Sequence, residues 1–334
     1  MISTATIISG VAQGLIWAIL TLGVYLTFRI LDIADLTVEG TFPLGAAVTV
    51  VLINGGMSPV GAILCAILAG AAAGFVTGFL HTIFKIPAIL SGILTMIALY
   101  SVNIRIMSDK ATVALEQPSV KTWMLSILPE GTVSNTVSII LGTAVCIIIV
   151  AVLYYFFGTE IGCAVRATGS NQNMARSLGV KTDRIIILGL MISNALVALS
   201  GSLIAQLDYG SALVTMGQGT IVIGLASVII GEVIFIRKDM NFALKLLAVI
   251  AGAVIYRTVI ACALTFSFLK ATDLKIITAI VVAFALALPV LQQKSAEAKL
   301  RRENAKKYDA LIAEELAKDP VTVSGANAGG GANA

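Results

Sequence analysis

LDIADLTVEG, residues Leu31 to Gly40, sets Asp32, Asp35 and Glu39 in one short segment between two strongly apolar runs. A bare carboxylate at the middle of a bilayer costs about 2.5–3.5 kcal/mol on insertion scales, so three would cost on the order of 8–10 kcal/mol unless they meet water, an interface or protein partners. What surrounds the segment decides its reading.

The surroundings are apolar. The chain has 334 residues, of which 58% are hydrophobic and 12% charged, and its mean hydropathy is +0.99. That composition excludes an ordinary soluble domain. Apolar runs near 7–29, 41–54, 60–84, 87–105, 136–157, 185–205, 219–236, 243–268 and 274–291 predict an all-α polytopic membrane protein of about nine crossings. The second run is short and directly follows the acidic segment. The seventh is also short, and follows the Gly-rich stretch LDYGSALVTMGQGT, Leu207 to Thr220. Broken helices beside a central cavity are expected at these two places.

Loop charges give the orientation. Arg166, Arg176, Lys181 and Arg184 outnumber Glu160 and Asp183 between residues 158 and 184, and Arg237, Lys238 and Lys245 cluster at a later loop. The tail adds Lys294, Lys299, Arg301, Arg302, Lys306 and Lys307, while the segment from Arg105 to Asn135 is balanced. Basic loops in the cytoplasm give an outside N-terminus and a cytoplasmic C-terminus, with every loop agreeing in parity. No Lys or Arg precedes Arg29, so the start lacks the basic region of a cleaved signal peptide.

Gly70, Gly74 and Gly78 form a four-residue-spaced stripe, and Gly10 and Gly14 repeat the spacing. Such stripes let helix backbones approach closely in lipid, within one subunit or across a dimer seam. Residues 1–291 are expected to form the membrane domain, with a cytoplasmic loop at 158–184. Residues 292–319 read as a polar cytoplasmic helix, and residues 320–334, ending SGANAGGGANA, are too poor in apolar side chains to fold.

The scattered cysteines Cys65, Cys146, Cys163 and Cys262 read as free packing residues. The sole histidine, His81, lies beside Lys85 and reads as interfacial. No metal signature, nucleophile–base arrangement or G-x-x-x-x-G-K-[ST] loop is present in the sequence, so a metal site, an intramembrane enzyme and an ATPase in this chain are not expected.

The segment GTEIGCAVRATGSNQNMARSLGVKTDR, Gly158 to Arg184, has mostly helical spacing. Met174, Ala175 and Leu178 form a small apolar face. Ser170 or Asn171 suits a helix N-cap, and Gly179 suits a helix end. A slim helix with one apolar side fits a groove on a soluble partner, although composition alone leaves a plain structured loop open.

This loop, with its Thr159, Ile161-Gly162, Arg166-Ala167, Gly169, Asn171, Ala175 and Leu178-Gly179, resembles the coupling loop of ABC importer permeases of the branched-chain amino acid and ribose type. DLTVEGTFPLGAAV, Asp35 to Val48, is similar to that family's D-[LF]-[ST]-x-G motif. FRILDIADLTVEGTFPLGAAV, FLHTIFKIPAILSGILTMIALYSVNIRIM and IVIGLASVIIGE resemble more closely the permeases paired with tryptophan- or tyrosine-type binding lipoproteins. The resemblance covers residues 1–291. It implies a multi-pass protein of a bacterial plasma membrane that carries a small, amino acid-like and possibly aromatic solute. It implies a homodimer, two cytoplasmic P-loop ATPase subunits that hold ATP and Mg, and an external binding lipoprotein. It implies neither a cofactor on this chain nor a nucleic acid partner. Arg166, Ala167, Gly169, Asn171, Ala175, Arg176 and Gly179 carry over as the ATPase-coupling set.

On that architecture Asp35 and Thr37 suit capping of a short second helix, and Glu39 lies in its first turn. Asp32, Asp35, Thr37, Glu39, Phe42 and Glu232 are the candidates for the translocation pathway or its gate. Asp32 and Glu39 read equally well as structural. Glu232 reads as a cytoplasmic gate residue or a partner of Arg237, and Arg257, inside a crossing, calls for an acidic partner. A competing reading makes Asp32, Asp35 and Glu39 the ion site of a secondary transporter that works alone.

Overall fold

Apolar runs of this length have to close every backbone hydrogen bond internally, and helices do so within a single segment. The computed structural model describes residues 4–127, 134–235 and 240–265, with isolated positions between 276 and 308. Helix α1 (Thr4–Tyr25) runs on through a π-helical turn, Leu26–Ile30, and α2 (Val38–Asn54) follows an irregular link. Then come α3 (Pro59–Thr82), α4 (Ala88–Ile106), the strand β1 (Thr112–Ala114), α5 (Val120–Ile127) and α6 (Ser134–Gly158). Two short helices, α7 (Glu160–Ser170) and α8 (Gln172–Ser177), lead into α9 (Thr182–Ile204), which ends in a second π turn, Ala205–Tyr209. Strand β2 (Ser211–Leu213), a 3-10 turn (Val214–Gly217), α10 (Thr220–Phe235) and α11 (Phe242–Ala263) complete the described elements.

Seven of these helical stretches are long and apolar enough to cross a membrane, and α2 is a shorter apolar helix. The chain is an all-α polytopic membrane protein. The expected ninth crossing at 274–291 and the tail, 292–319 and 320–334, lie outside the described residues except for isolated positions. All elements above belong to one compact unit that ends at Ala285.

Helices apolar all round belong in the interior, and α1 and α2 are buried there. Glycines set how closely neighbours approach. A Cβ at Gly70, Gly74 or Gly78 of α3 would meet Asn194, Leu190 or Ile187 of α9. Gly10 and Gly14 of α1 meet Thr258 and Val254 of α11 in the same way. Both glycine stripes therefore pack within one chain. Opposite faces of α3, α4 and α6 expose Leu68, Phe75, Ile97, Ile148 and Tyr155.

Serine bonds give the helix directions. Ser200 Oγ donates to the Ile16 carbonyl at 2.9 Å and Ser193 Oγ to the Gly23 carbonyl at 2.8 Å, so α1 and α9 are antiparallel. The pairs Thr41–Asn194 and Thr49–Ser202, at 2.8 and 2.6 Å, run α2 parallel to α9. Gly224 lies on Leu20 and Val24, and Glu232 pairs with Arg29, so α10 runs parallel to α1. The short helices α2 and α10 consequently point in opposite directions.

Residues 31–37 form the break between α1 and α2. Asp32 there has a left-handed backbone, φ 55°, a conformation that Asp tolerates better than most residues. Asp35 is fully buried. Its Oδ1 accepts the Thr37 amide at 2.9 Å and its Oδ2 accepts Asn194 Nδ2 at 2.7 Å. Asn194 Oδ1 in turn accepts from Thr41 Oγ1 at 2.8 Å. Asp35 thus caps the start of α2. Thr37 makes no side-chain cap; its hydroxyl pairs with Thr77 of α3 at 2.7 Å.

Gly74→Leu is expected to push α3 off α9 and cost roughly 1–3 kcal/mol or more, read as a lower apparent melting midpoint in detergent. Gly158→Ala, with open space around the added carbon, should leave that midpoint in place. Asp35→Asn sets one amide NH2 against another at Asn194 and should cost about 1–3 kcal/mol. The exposed Asp32→Asn should stay within about 0.5 kcal/mol, and equal midpoints for these two variants would refute the capping network.

Candidate functional site

Glu39 sits in the first turn of α2, but its carboxylate serves another helix. Oε1 accepts the Gly219 amide at 3.0 Å, the residue directly before α10. Amides at a helix start have no intrahelical acceptor, so Glu39 supplies one from across the bundle. The N-termini of α2 and α10 therefore meet head to head. The descending link is built of glycines. A Cβ at Gly217 would overlap the Glu39 carbonyl oxygen, and Gly210 and Gly219 have φ of +60° and +84°, which favour glycine. Higher up, β2 pairs antiparallel with β1, Thr112 opposite Leu213, and Asn54 ties the end of α2 to Ala114 and Glu116.

A cavity of about 410 Å³ lies beside this junction, lined by Glu39, Gly40 and Pro43 of α2, by α4 from Met96 to Asn103, and by Val214 and Gln218. It opens on a side of the chain where Ile97 and Tyr100 are exposed. A second cavity, about 530 Å³, lies toward the loop of α7 and α8 and is lined by Asp32, His81, Thr168, Gly169, Asn171 and Gln172 among others. Asp35 lines neither.

The loop itself is two helices. Thr159 caps α7 by accepting the Gly162 amide, and Asn171 caps α8 by accepting the Met174 amide at 2.9 Å. Asn171 is extended, φ −156°, so the two helices meet at an angle, and Gly179 at φ +87° ends the turn after α8. The inner end of α7 rests on the break. A Cβ at Gly169 would overlap the Ile30 carbonyl oxygen, and one at Gly189 would overlap the Leu31 side chain.

The expected residues are distributed unevenly. Arg166, Asn171, Arg176 and Gly179 are exposed, Ala167 and Gly169 half-buried, and Ala175 fully buried. Ala175 and Gly169 thus face their own chain rather than a partner, because Gly169 sits on Ile30 and Ala175 is enclosed. Arg176 folds back onto Asp183 at 3.0 Å and Thr182, and Lys85 stands 3.6 Å from Asp183. Ile161 of α7, 50% exposed, Met174 of α8, 49% exposed, and Leu178 just after it, 75% exposed, are outward apolar side chains of this loop. The apolar face expected of Met174, Ala175 and Leu178 is thus divided: Ala175 turns inward and the other two outward.

The remaining candidates are placed as follows. Phe42 lines neither cavity; it is wholly buried and stacks on Trp17 with centroids 5.2 Å apart. Glu232 pairs with Arg29, Nε to Oε1 at 2.6 Å, whereas Arg237 lies outside the described residues. Arg257 has no ion pair within 4.0 Å among the described residues; its guanidinium lies over the Trp17 ring at 3.5 Å, a cation–π contact, with Asp208 and Tyr209 nearby. His81 Nδ1 lies 2.8 Å from the Ile86 carbonyl. All four cysteines are free, and no cluster of three metal-ligating side chains occurs among the described residues.

Residues 6–291 match the family of the branched-chain amino acid transport system permease component. A tyrosine transport system permease protein of Clostridioides difficile (strain R20291) is 42% identical over 276 residues, covering 83% of this chain and 88% of that protein. An uncharacterized protein of Rickettsia prowazekii (strain Madrid E) is 38% identical over 240 residues, 72% of this chain and 81% of its own length. An autoinducer 2 import system permease protein of Photorhabdus laumondii is 30% identical over 210 residues, 61% of this chain and 58% of that protein. No solved structure matches. With the match spanning the whole described bundle, the chain belongs to the branched-chain amino acid transport permease family, the ABC-type permeases, and is a multi-pass protein of the bacterial plasma membrane.

Proposed function

We propose that this chain is the membrane subunit of an ATP-driven importer for a small amino acid-like solute, aromatic in kind. It acts as a homodimer with two cytoplasmic P-loop ATPase subunits that hold ATP and Mg, and an external binding lipoprotein delivers the solute. The N-terminus lies outside and the C-terminus in the cytoplasm. The similarity to a tyrosine transport system permease supports the aromatic solute.

The observation that carries this reading is the two-sided character of the loop 158–184. Its outward face offers Met174 and Leu178 to a partner, while its inner end bears on Ile30 and Leu31 at the break. Closure of an ATPase dimer against Met174 and Leu178 would move α7 and, through Gly169, the lower end of α1. Gly169 and Ala175 then transmit, Met174 and Leu178 dock, and the exposed Arg166 and Asn171 flank the contact. The solute would pass by the cavity beside Glu39. A half-exposed carboxylate does not face lipid cheaply, so that side of the protomer is assigned to the dimer axis or an aqueous path. The three acids point to three different places, namely the cavity, the core and the cytoplasmic pocket, and this weighs against one shared coupling-ion site.

Met174→Asp combined with Leu178→Asp is expected to release the ATPase subunits during purification and to lower ATP-driven uptake at least tenfold, with the melting midpoint of the membrane subunit unchanged. Full uptake with stoichiometric ATPase would refute the docking assignment. Purification from the native membrane with no P-loop ATPase attached would refute the importer reading itself.

A further inference from the structure

We infer that the cavity between α2, α4 and Gln218 is a recognition site in the permease for the ammonium end of an amphipathic amine, with the solute's apolar or aromatic body against Tyr100, Ile97 and Pro43. The inference rests on the importer reading for its biological use, but its chemistry stands on the cavity alone.

The one charged group of this cavity among the described residues, Glu39, only accepts, while Tyr100, Ser101 and Gln218 can donate or accept. Glu39 is half-buried there and has one oxygen engaged by the Gly219 amide. Its other oxygen has no bond to the chain among the described residues. Asn103 is fully buried and lines the same wall. Its Nδ2 donates to the Gly40 carbonyl at 3.1 Å, and its Oδ1 is buried with no partner. Turning the amide over would set oxygen against the Gly40 carbonyl oxygen, so Oδ1 remains the unpaired atom. A buried acceptor left unpaired is costly, and a ligand donor drawn against this wall would supply the missing bond. No Lys or Arg lines the cavity. Of the two helix starts that meet here, that of α10 is met by Glu39 and that of α2 by Asp35, so each already faces a carboxylate and is poorly suited to an anion. A group with three donors and a positive charge therefore matches Glu39 and Asn103 better than a carboxylate does. The volume, about 410 Å³, lies within the range of small-molecule sites.

The test is made on the full-length chain, purified from its membrane with whatever accompanies it and placed in lipid nanodiscs without the binding lipoprotein. Saturable binding of radiolabelled tyramine is measured, with L-tyrosine and 3-(4-hydroxyphenyl)propionate as competitors. Tyramine and L-tyrosine should compete at least tenfold better than the propionate, which lacks the amine. Glu39→Gln should erase that difference, whereas Tyr100→Leu should weaken all three while keeping it. If Glu39→Gln yields no folded protein, the comparison on the unaltered chain decides. Equal competition by the three compounds, preference for the propionate, or no saturable binding would each overturn the site and leave the importer reading in place. Loss of the importer reading shows separately, as absence of an ATPase and of ATP hydrolysis from the same preparation, whatever the amine preference.

Discussion

A helix that starts inside a membrane leaves amides without acceptors, and water is not there to take them. Among the described residues two apolar helices, α2 and α10, start within the bundle, and each start is met by a carboxylate. Asp35 accepts the Thr37 amide within its own segment, and Glu39 reaches across to the Gly219 amide. Both acids come from LDIADLTVEG. The helix dipoles favour negative charge at these ends, and Asn194 and Thr41 extend the bonding around Asp35. Acids that look expensive in an apolar sequence thereby offset the cost of two helix breaks.

The breaks are where the bundle departs from simple crossing helices. Each follows a π turn, Leu26–Ile30 on α1 and Ala205–Tyr209 on α9, a feature often found at functional sites. Because α1 and α9 are antiparallel, the two segments of helix, π turn, irregular link and short helix run in opposite senses. The short helices meet at their N-termini, next to the cavity that Glu39 lines. On the proposed reading, the solute path and the loop of α7 and α8 are joined through one of these links, which carries Ile30 at one end and Glu39 at the other.

Much of this was legible in the sequence. Eight of the expected crossings correspond to described helices with shifts of a few residues at their ends, because apolar periodicity and the length a bilayer demands leave little freedom. The two broken places were signalled by one short run after an acidic segment and another after a Gly-rich one. Side-chain chemistry narrowed the loop's cap to Ser170 or Asn171, of which the structure uses Asn171, and marked its end at Gly179. Partnerships across the chain were not legible. Nothing local tells Glu39 from Asp35, since what separates them is that Gly219 descends beside one and Asn194 packs beside the other. Phe42 and Arg257 show the same limit: both meet Trp17, a residue with no sequence signal of its own.

Gly169, in the loop 158–184, bears on its own chain. Gly169 has the look of a docking residue, because a small residue on an exposed loop invites a close partner. Its partner is the Ile30 carbonyl of the same chain. A bulky substitution there would disturb the joint between loop and break, and loss of transport would say nothing about which surface an ATPase touches. On the proposed reading, contact and transmission are thus separable within a few residues of each other. Met174 and Leu178 report on the first, Gly169 and Gly189 on the second, and a permease that kept its ATPase but lost transport through Gly169 would place the fault in the joint rather than in the docking face.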